Sequence, residues 1–440
     1  MRANEVRALE KRLDTFLSEL TGSMGRRDRR QWASAYVQGL LLDGERKSVE
    51  PMAKRLGKSD QSLQQFLNQS PWSAEALLEC LAKRGARQAA SFWILDETSF
   101  PKAGRHSVGV TRQYCGALGK LASCQVAVSL HRADKSVSNS HPISWRLYLP
   151  KDWITDTERR QRAGIPAEVL YQSKNELALN ALDQALGWGL EPGVILADEA
   201  YGGSFEWRAA LRERGLCYCV RVPWTTTGWI EAPEFFLPAP PKRGRQAKRL
   251  RTNAPIPKNL REIAGEMPAS AWQEVTWREG SKGPQSSRFA RLELWAANGW
   301  RQGPQPERVR EVALIEWPAD QQEPTRYWLS LLPESLPLHE LVATAKARWR
   351  IEQDYRELKE ELGLDHFEGR GWLGWHHHVA LVTVAFAFLR QEQRRKRRPT
   401  GSGKKPARAS KPPFGPKPSA SRAHSSRRTL PLVPQPLQTA

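Results

Sequence analysis

Apolar and polar positions change rhythm several times along this chain, and the changes mark out its elements. Residues 1–88 read as helical. Within them, Ser48 to Leu67 has the layout of a helix-turn-helix. Ala53 is small where two helices would cross, Gly57 stands at the turn, and Leu63 and Phe66 can pack the second helix on the first. That second helix would project Gln61, Gln64, Gln65 and Asn68, side chains able to read adenine edges. An ordinary helical hairpin shows the same pattern. From Ser91 the rhythm is that of strands: Phe92 to Asp96, Cys124 to Leu130, and the alternating run Ile143 to Leu149. An amphipathic helix from Lys174 to Trp188 follows, then strands at Val194 to Asp198 and Cys217 to Val222. Three strands, then helix and strand, predict a mixed sheet covered by helices, an α/β fold.

Between Trp224 and Tyr327 a proline-rich basic linker (PAPPKRGRQAKR) leads into short alternating segments such as Ala290 to Trp295 and Val312 to Trp317. This predicts a separate, mainly β insertion, after which the chain returns to the first sheet. The expected divisions are an N-terminal helical DNA-binding domain (1–88), a first part of the core (89–223), the insertion (224–327), a second part of the core (328–392) and a tail (393–440).

Charge adds a partner to this outline. The chain of 440 residues carries 68 basic and 47 acidic residues, a net +21. From Arg394 onward there are 13 Lys or Arg and no acid, in a stretch rich in Pro, Ser and Gly. Such a tail is expected to be disordered and to bind polyanions without sequence preference. The charged N-terminus has no apolar core of a signal peptide, and the apolar run Val379 to Leu389 is short for a bilayer span. A cytoplasmic, nucleoid-associated protein with no membrane partner is the expectation. The five cysteines are scattered and are expected to be reduced.

Chemistry concentrates in Ala347 to Lys359. At helical pitch Arg348, Glu352, Tyr355 and Lys359 share one face. A carboxylate is thus flanked by an arginine one turn before it and a lysine two turns after it. A solvated helix laced with ion pairs, given Asp354, Glu357, Glu360 and Glu361, would look similar. Two buried strands each end in an aspartate, Asp96 and Asp198, where open sheets place their ligands. With Glu352 they make three acids from three separated segments. Oxygen donors without His or Cys suit hard ions such as Mg²⁺ or Mn²⁺, and two such ions about 4 Å apart can drive an in-line phosphoryl displacement. Glu97 and Glu199 follow the two aspartates and leave alternatives of register; the first of each pair caps its apolar strand. Consecutive His376, His377 and His378 point in different directions on a helix, so a helix start or a DNA contact is expected there rather than a metal site.

On Leu95 to Lys102, Leu196 to Gly202 and the Glu352 helix, the chain resembles bacterial insertion-sequence transposases of the DDE class, over most of its length. Arg348, Glu352 and Lys359 fit the Y-(2)-R-(3)-E-(6)-K signature of the branch with a β-rich insertion, while the tyrosine position holds Ala345. The resemblance implies an RNase H-like catalytic domain and a DNA transposase cutting and joining at element ends. Asp96, Asp198 and Glu352 would hold two ions, Mg²⁺ or Mn²⁺, with no organic cofactor. Arg348 and Lys359 would grip phosphates, and a homodimer would hold double-stranded DNA, the paired transposon ends and the target. In related enzymes an aromatic of the insertion stacks a flipped base; Trp317 or Trp328 could serve here. A metal-dependent DNA nuclease and a domesticated, non-catalytic DNA-binding protein are the alternatives.

Overall fold

The computed structural model describes residues 3–86, 90–136, 139–239, 251–280, 283–298 and 308–397. The chain begins with five helices: α1 (Ala3–Leu20), α2 (Arg27–Leu41), α3 (Val49–Leu56), α4 (Asp60–Gln69) and α5 (Ala74–Gly85). The turn between α3 and α4 follows from its residues. Gly57 takes φ +59°, a left-handed conformation that glycine adopts without strain and that ends α3. Ser59 Oγ then accepts the amide of Ser62 at 3.2 Å and starts α4. Ala53, Leu63 and Phe66 are buried, so α3 and α4 pack together across a tight turn as expected.

The sheet is built around β1 (Phe92–Pro101). A hairpin of β2 (Thr111–Cys115) and β3 (Lys120–Ala133) follows, then β4 (Ser140–Leu147). Helices α6 (Lys151–Thr155), α7 (Thr157–Ala163) and α8 (Lys174–Gly187) lead to β5 (Val194–Ala197). Next come α9 (Glu199–Gly202), α10 (Phe205–Glu213) and β6 (Tyr218–Val222). β1 runs antiparallel to β3 and parallel to β5, which runs parallel to β6. β4 and β2 line the far edge of β3. This mixed sheet with flanking helices is the RNase H-like arrangement. Trp93, Leu95, Val128, Leu130, Leu182 and Ile195 form one core between sheet and α8.

The region expected as a separate insertion contains β7 (Thr227–Trp229), β8 (Phe235–Phe236), β9 (Arg251–Thr252), β10 (Lys258–Asn259) and α11 (Leu260–Glu266). It continues with β11 (Gln273–Gly280), β12 (Gly283–Ala296), β13 (Arg310–Trp317) and β14 (Arg326–Ser330). It is mainly β, but its sheet is not separate. β14 pairs antiparallel with β6, from Tyr327 opposite Val222 to Ser330 opposite Cys219, so β12, β13 and β14 extend the central sheet. The cause is backbone pairing: β6 would otherwise leave an open edge. Most of the proline-rich basic linker lies outside the described residues.

Three helices complete the described residues: α12 (Leu338–Lys346), α13 (Trp349–Glu360) and α14 (Trp372–Arg397). α14 is long and apolar enough by length and composition to cross a membrane, which the run Val379 to Leu389 understated, yet 72% of its apolar window is buried inside the protein. It packs on α2, α4, α5 and β4 as a core helix. It also continues through the residues where the basic tail was expected to begin; the tail from residue 398 lies outside the described residues. The three histidines do not start the helix, which begins at Trp372, and burial removes His377 and His378 from any surface contact. Two are buried clasps: His377 ring nitrogens meet the carbonyls of Leu67 and Trp72, both at 2.8 Å, and His378 Nδ1 meets the Tyr36 hydroxyl at 2.8 Å. His376 is half-buried, with Nδ1 at 2.9 Å from the Trp372 carbonyl of its own helix. Burial lowers the His377 imidazole below its ordinary value, and the two carbonyls pull against that.

Candidate active site

Asp96 stands on β1 with 8% of its surface exposed. Its Oδ1 accepts the Glu97 amide at 2.8 Å, and its Oδ2 accepts from Arg348 Nη1 at 2.5 Å. Burial pushes its carboxyl up to about 7; Asp198 and Glu97 add to this and Arg348 opposes it. Asp198 follows β5, and the parallel register sets Ile94 beside Leu196, so the two aspartates stand at the same level. Asp198 lies just past its strand, whereas Asp96, expected at a strand end, lies mid-strand because pairing with β3 carries β1 on to Pro101. Asp198 Oδ1 accepts the Ala200 amide at 3.1 Å, starting α9. The turn after Asp198 lies flat on β6: a Cβ on Gly202 would run into the backbone carbonyl of Arg221.

Glu352 arrives on α13, whose inner face is fastened by a buried polar cluster. Asp354 is fully buried and accepts from Arg350 Nε at 2.9 Å and Arg390 Nη2 at 3.2 Å, with His131 Nδ1 at 3.1 Å and the Ser140 hydroxyl also bonded to it. The Tyr355 hydroxyl meets Ser129 Oγ at 2.7 Å, and Ser129 is the strand partner of Asp96. These contacts aim the outer face of the same turn at Asp96. Glu352 is exposed and accepts from Arg348 Nη2 at 2.5 Å. Arg348 therefore bridges two of the three acids. Burial works against its charge, but Asp96, Glu352 and Asp198 outweigh that and hold the guanidinium above its ordinary value.

The donor set suits a hard divalent cation: carboxylate oxygens only, including a buried aspartate whose ionisation a nearby cation would favour. Among the described residues, however, no group of three His, Cys, Asp or Glu is gathered closely enough to hold a metal ion. Arg348 stands between Asp96 and Glu352. The residues fit such an ion in chemistry, on condition that Glu352 leaves Arg348.

The alternatives of register occupy other places. Glu97 points to the opposite face of β1 and pairs with Lys174 at 2.7 Å, while Glu199 faces Arg221 at 3.7 Å. Lys359, expected on the same helical face as Arg348, donates one Nζ hydrogen bond to the Ser99 carbonyl at 2.9 Å, and burial lowers its pKa. On α4, Gln61, Gln64 and Gln65 are exposed, whereas Asn68 is half-buried against Gly374. None of the four takes part in the carboxylate cluster.

A cavity of about 960 Å³ opens beside Arg348 and Glu352, lined in part by Arg221, Arg326, Lys346, Trp277 and Trp349, with Ala345 of the signature also on its wall. Glu316 lies buried in it, held by Lys346 at 2.6 Å and Arg326 at 3.2 Å. Trp328 lines the cavity too, nearly buried beneath Lys346. Trp317 packs edge-on to Trp272 and donates to the Gln321 carbonyl at 2.9 Å. Arg221 and Lys346 escaped the sequence reading. The signal for Arg221 was an arginine inside the otherwise apolar run Cys217 to Val222; Lys346 carried none.

A curated relative from Microchaete diplosiphon, named "Probable transposase for insertion sequence element IS701", is 30% identical over 190 residues, 42% of this chain and 46% of the relative. The chain thus spans about half the length of that relative. The family model described as DDE superfamily endonuclease matches residues 18–284, from the helical region through β1, β5 and into the β-rich segment. With more than half of its length matched, the chain belongs to the DDE superfamily of endonucleases.

Proposed function

We propose that the chain is an insertion-sequence transposase that cuts double-stranded DNA at the ends of its element and joins those ends to target DNA. The observation that carries this is Arg348 bridging Asp96 of β1 to Glu352 of α13, with Asp198 brought level with Asp96 by the register of β1 and β5, in a DDE endonuclease. The name of the relative supports the transposase reading.

Asp96, Asp198 and Glu352 would hold Mg²⁺ or Mn²⁺, two ions, which when bound would polarise the scissile phosphate and activate the attacking oxygen. The chain's own residues do the rest. Asp96 gives up a proton before it can bind a cation, because burial keeps it protonated to about 7. Arg348, on releasing Glu352, turns a charged fork toward a phosphate oxygen. In the neighbouring cavity Arg221, paired with Glu199 only at 3.7 Å, and the half-exposed Arg326 would meet the strand's phosphates, while Lys346 holds the buried Glu316. Gln61, Gln64 and Gln65 project from α4 toward base edges. A homodimer would hold the two ends together.

The test is strand transfer. A labelled duplex with the element's terminal sequence is incubated with the protein, Mg²⁺ and a target plasmid. Joined product that disappears with EDTA supports the reading; cleavage with no joining under any divalent metal would reduce it to a nuclease.

A further inference from the structure

The β2–β3 hairpin projects from the sheet, and its two faces differ. One face is braced: Cys115, Cys124 and Val126 are buried together, and Ser99 Oγ accepts the Ala117 amide at 3.0 Å. The other face is bare. Tyr114 and Leu121 are directly opposed across the two strands and are 62% and 61% exposed; Leu118, at the turn, is 48% exposed. Three apolar side chains at one exposed tip need a partner.

Their surroundings state its charge. From Thr98 to Ala133 the chain contains no Asp or Glu. Arg105, Arg112 and Lys120 are exposed there, and among the described residues their side chains have no ion-pair partner. An apolar tip flanked by unpaired cations is the composition of a wedge that enters a duplex between base steps while its neighbours hold phosphates. A second copy of the same hairpin fits poorly, because it would bring cations against cations.

The register gives its distance from the acids. Asp96 is opposite Ser129 in an unbroken pairing, and Leu121 has the same parity on β3, so both face the same side of the sheet. Eight residues of strand at ~3.3 Å each separate Ser129 from Leu121, roughly 26 Å. At ~3.4 Å per base step this is about eight base pairs.

We propose that the β2–β3 hairpin is a DNA-distorting element: Tyr114, Leu118 and Leu121 open a base step about eight base pairs from the cleaved bond, and Arg105, Arg112 and Lys120 hold the flanking phosphates. The inference rests on the reading of the chain as a DNA-cutting enzyme, and its test does not depend on cleavage.

Full-length protein is bound, without divalent metal, to a duplex of the element's terminal sequence carrying 2-aminopurine at successive positions. The wild type should raise fluorescence several-fold at one or two adjacent positions. Y114S/L118S/L121S should lose that rise while gel-shift affinity falls less than tenfold. L118S alone, at the solvent-exposed turn, should halve the rise, which guards against a folding defect in the triple variant. R105A/R112A/K120A should lower the slope of log affinity against log salt by about three. No rise with the wild type, or an unchanged rise in both serine variants, overturns the proposal. So does a serine triple variant that distorts DNA normally but changes from dimer to monomer, since the tip would then join copies of the chain. A wild type that distorts the duplex yet never cuts it leaves the wedge standing and refutes the transposase reading instead.

Discussion

Asp96 offers the sharpest quantitative test, because its burial sets when it can carry charge. Its carboxyl is pushed from 3.8 to about 7, which corresponds to about 4 kcal/mol in favour of the neutral acid. A divalent cation bound through Asp96 must displace that proton, so apparent affinity follows the ionised fraction. That fraction is about a tenth at pH 6 and nine-tenths at pH 8, a roughly tenfold difference in affinity. Mn²⁺ titrated into the chain without DNA, followed by electron paramagnetic resonance, should show it, and calorimetry in paired buffers should detect close to one proton released at pH 6. Arg348→Gln removes the charge that opposes the effect and leaves burial, Asp198 and Glu97. Its affinity should therefore keep rising between pH 7 and 9, where the wild type has levelled. Stability is linked to the same proton. The native chain keeps it between about pH 4 and 7, where the unfolded chain has lost it, so the stabilisation is full below pH 4 and is lost as pH rises through about 7. Asp96→Asn should thus match the wild type near pH 4 and exceed it at pH 8, by at most about 4 kcal/mol. Metal affinity that is flat from pH 6 to 8, or a midpoint unmoved by Arg348→Gln, would refute the reasoning.

Four further substitutions probe the frame that holds the acids. Asp354→Asn takes the fully buried carboxylate from Arg350 and Arg390, leaving them only the partly exposed Glu357, and should cost about 3 kcal/mol in urea unfolding. Because Glu352 sits on the same helix, cleavage should fall even at temperatures where the variant is folded. The buried pair of Arg208 and Glu311, 3.0 Å apart, behaves differently when removed whole. Arg208→Met alone should destabilise by about 3 kcal/mol, and Arg208→Met with Glu311→Leu should recover most of it in the same assay. Gly202→Ala drives a methyl into the Arg221 carbonyl; it should lower the melting temperature and weaken Mn²⁺ binding together, because α9 carries Asp198 at its start.

What the sequence made legible was local. Phe92 to Asp96 and Val194 to Asp198 are apolar runs closed by acids, and a buried strand can hardly read otherwise. The helical stripe from Arg348 to Glu352 followed from pitch alone. What stayed hidden was decided by partners distant in the chain. The pairing of β14 with β6, which merges the insertion with the central sheet, has no mark in either strand. Lys359 has the right spacing, yet whether it reaches a phosphate depends on the Ser99 carbonyl beside it. His377 and His378 of α14 read as polar, and only the carbonyls of Leu67 and Trp72 and the hydroxyl of Tyr36 make them core residues. Asn68 shares its helix with three exposed glutamines but meets Gly374 on the way out.

The central claim is that Asp96, Asp198 and Glu352 act as one site on DNA. It is tested most directly by incubating a supercoiled plasmid carrying the element's ends with the wild type and with Asp96→Asn, Asp198→Asn and Glu352→Gln, in Mg²⁺ or in EDTA, while gel-shift affinity is measured alongside. The account predicts nicking at the element boundary that requires Mg²⁺ and vanishes in each variant with binding retained. Nicking that persists in Asp198→Asn, or that proceeds in EDTA, would contradict it.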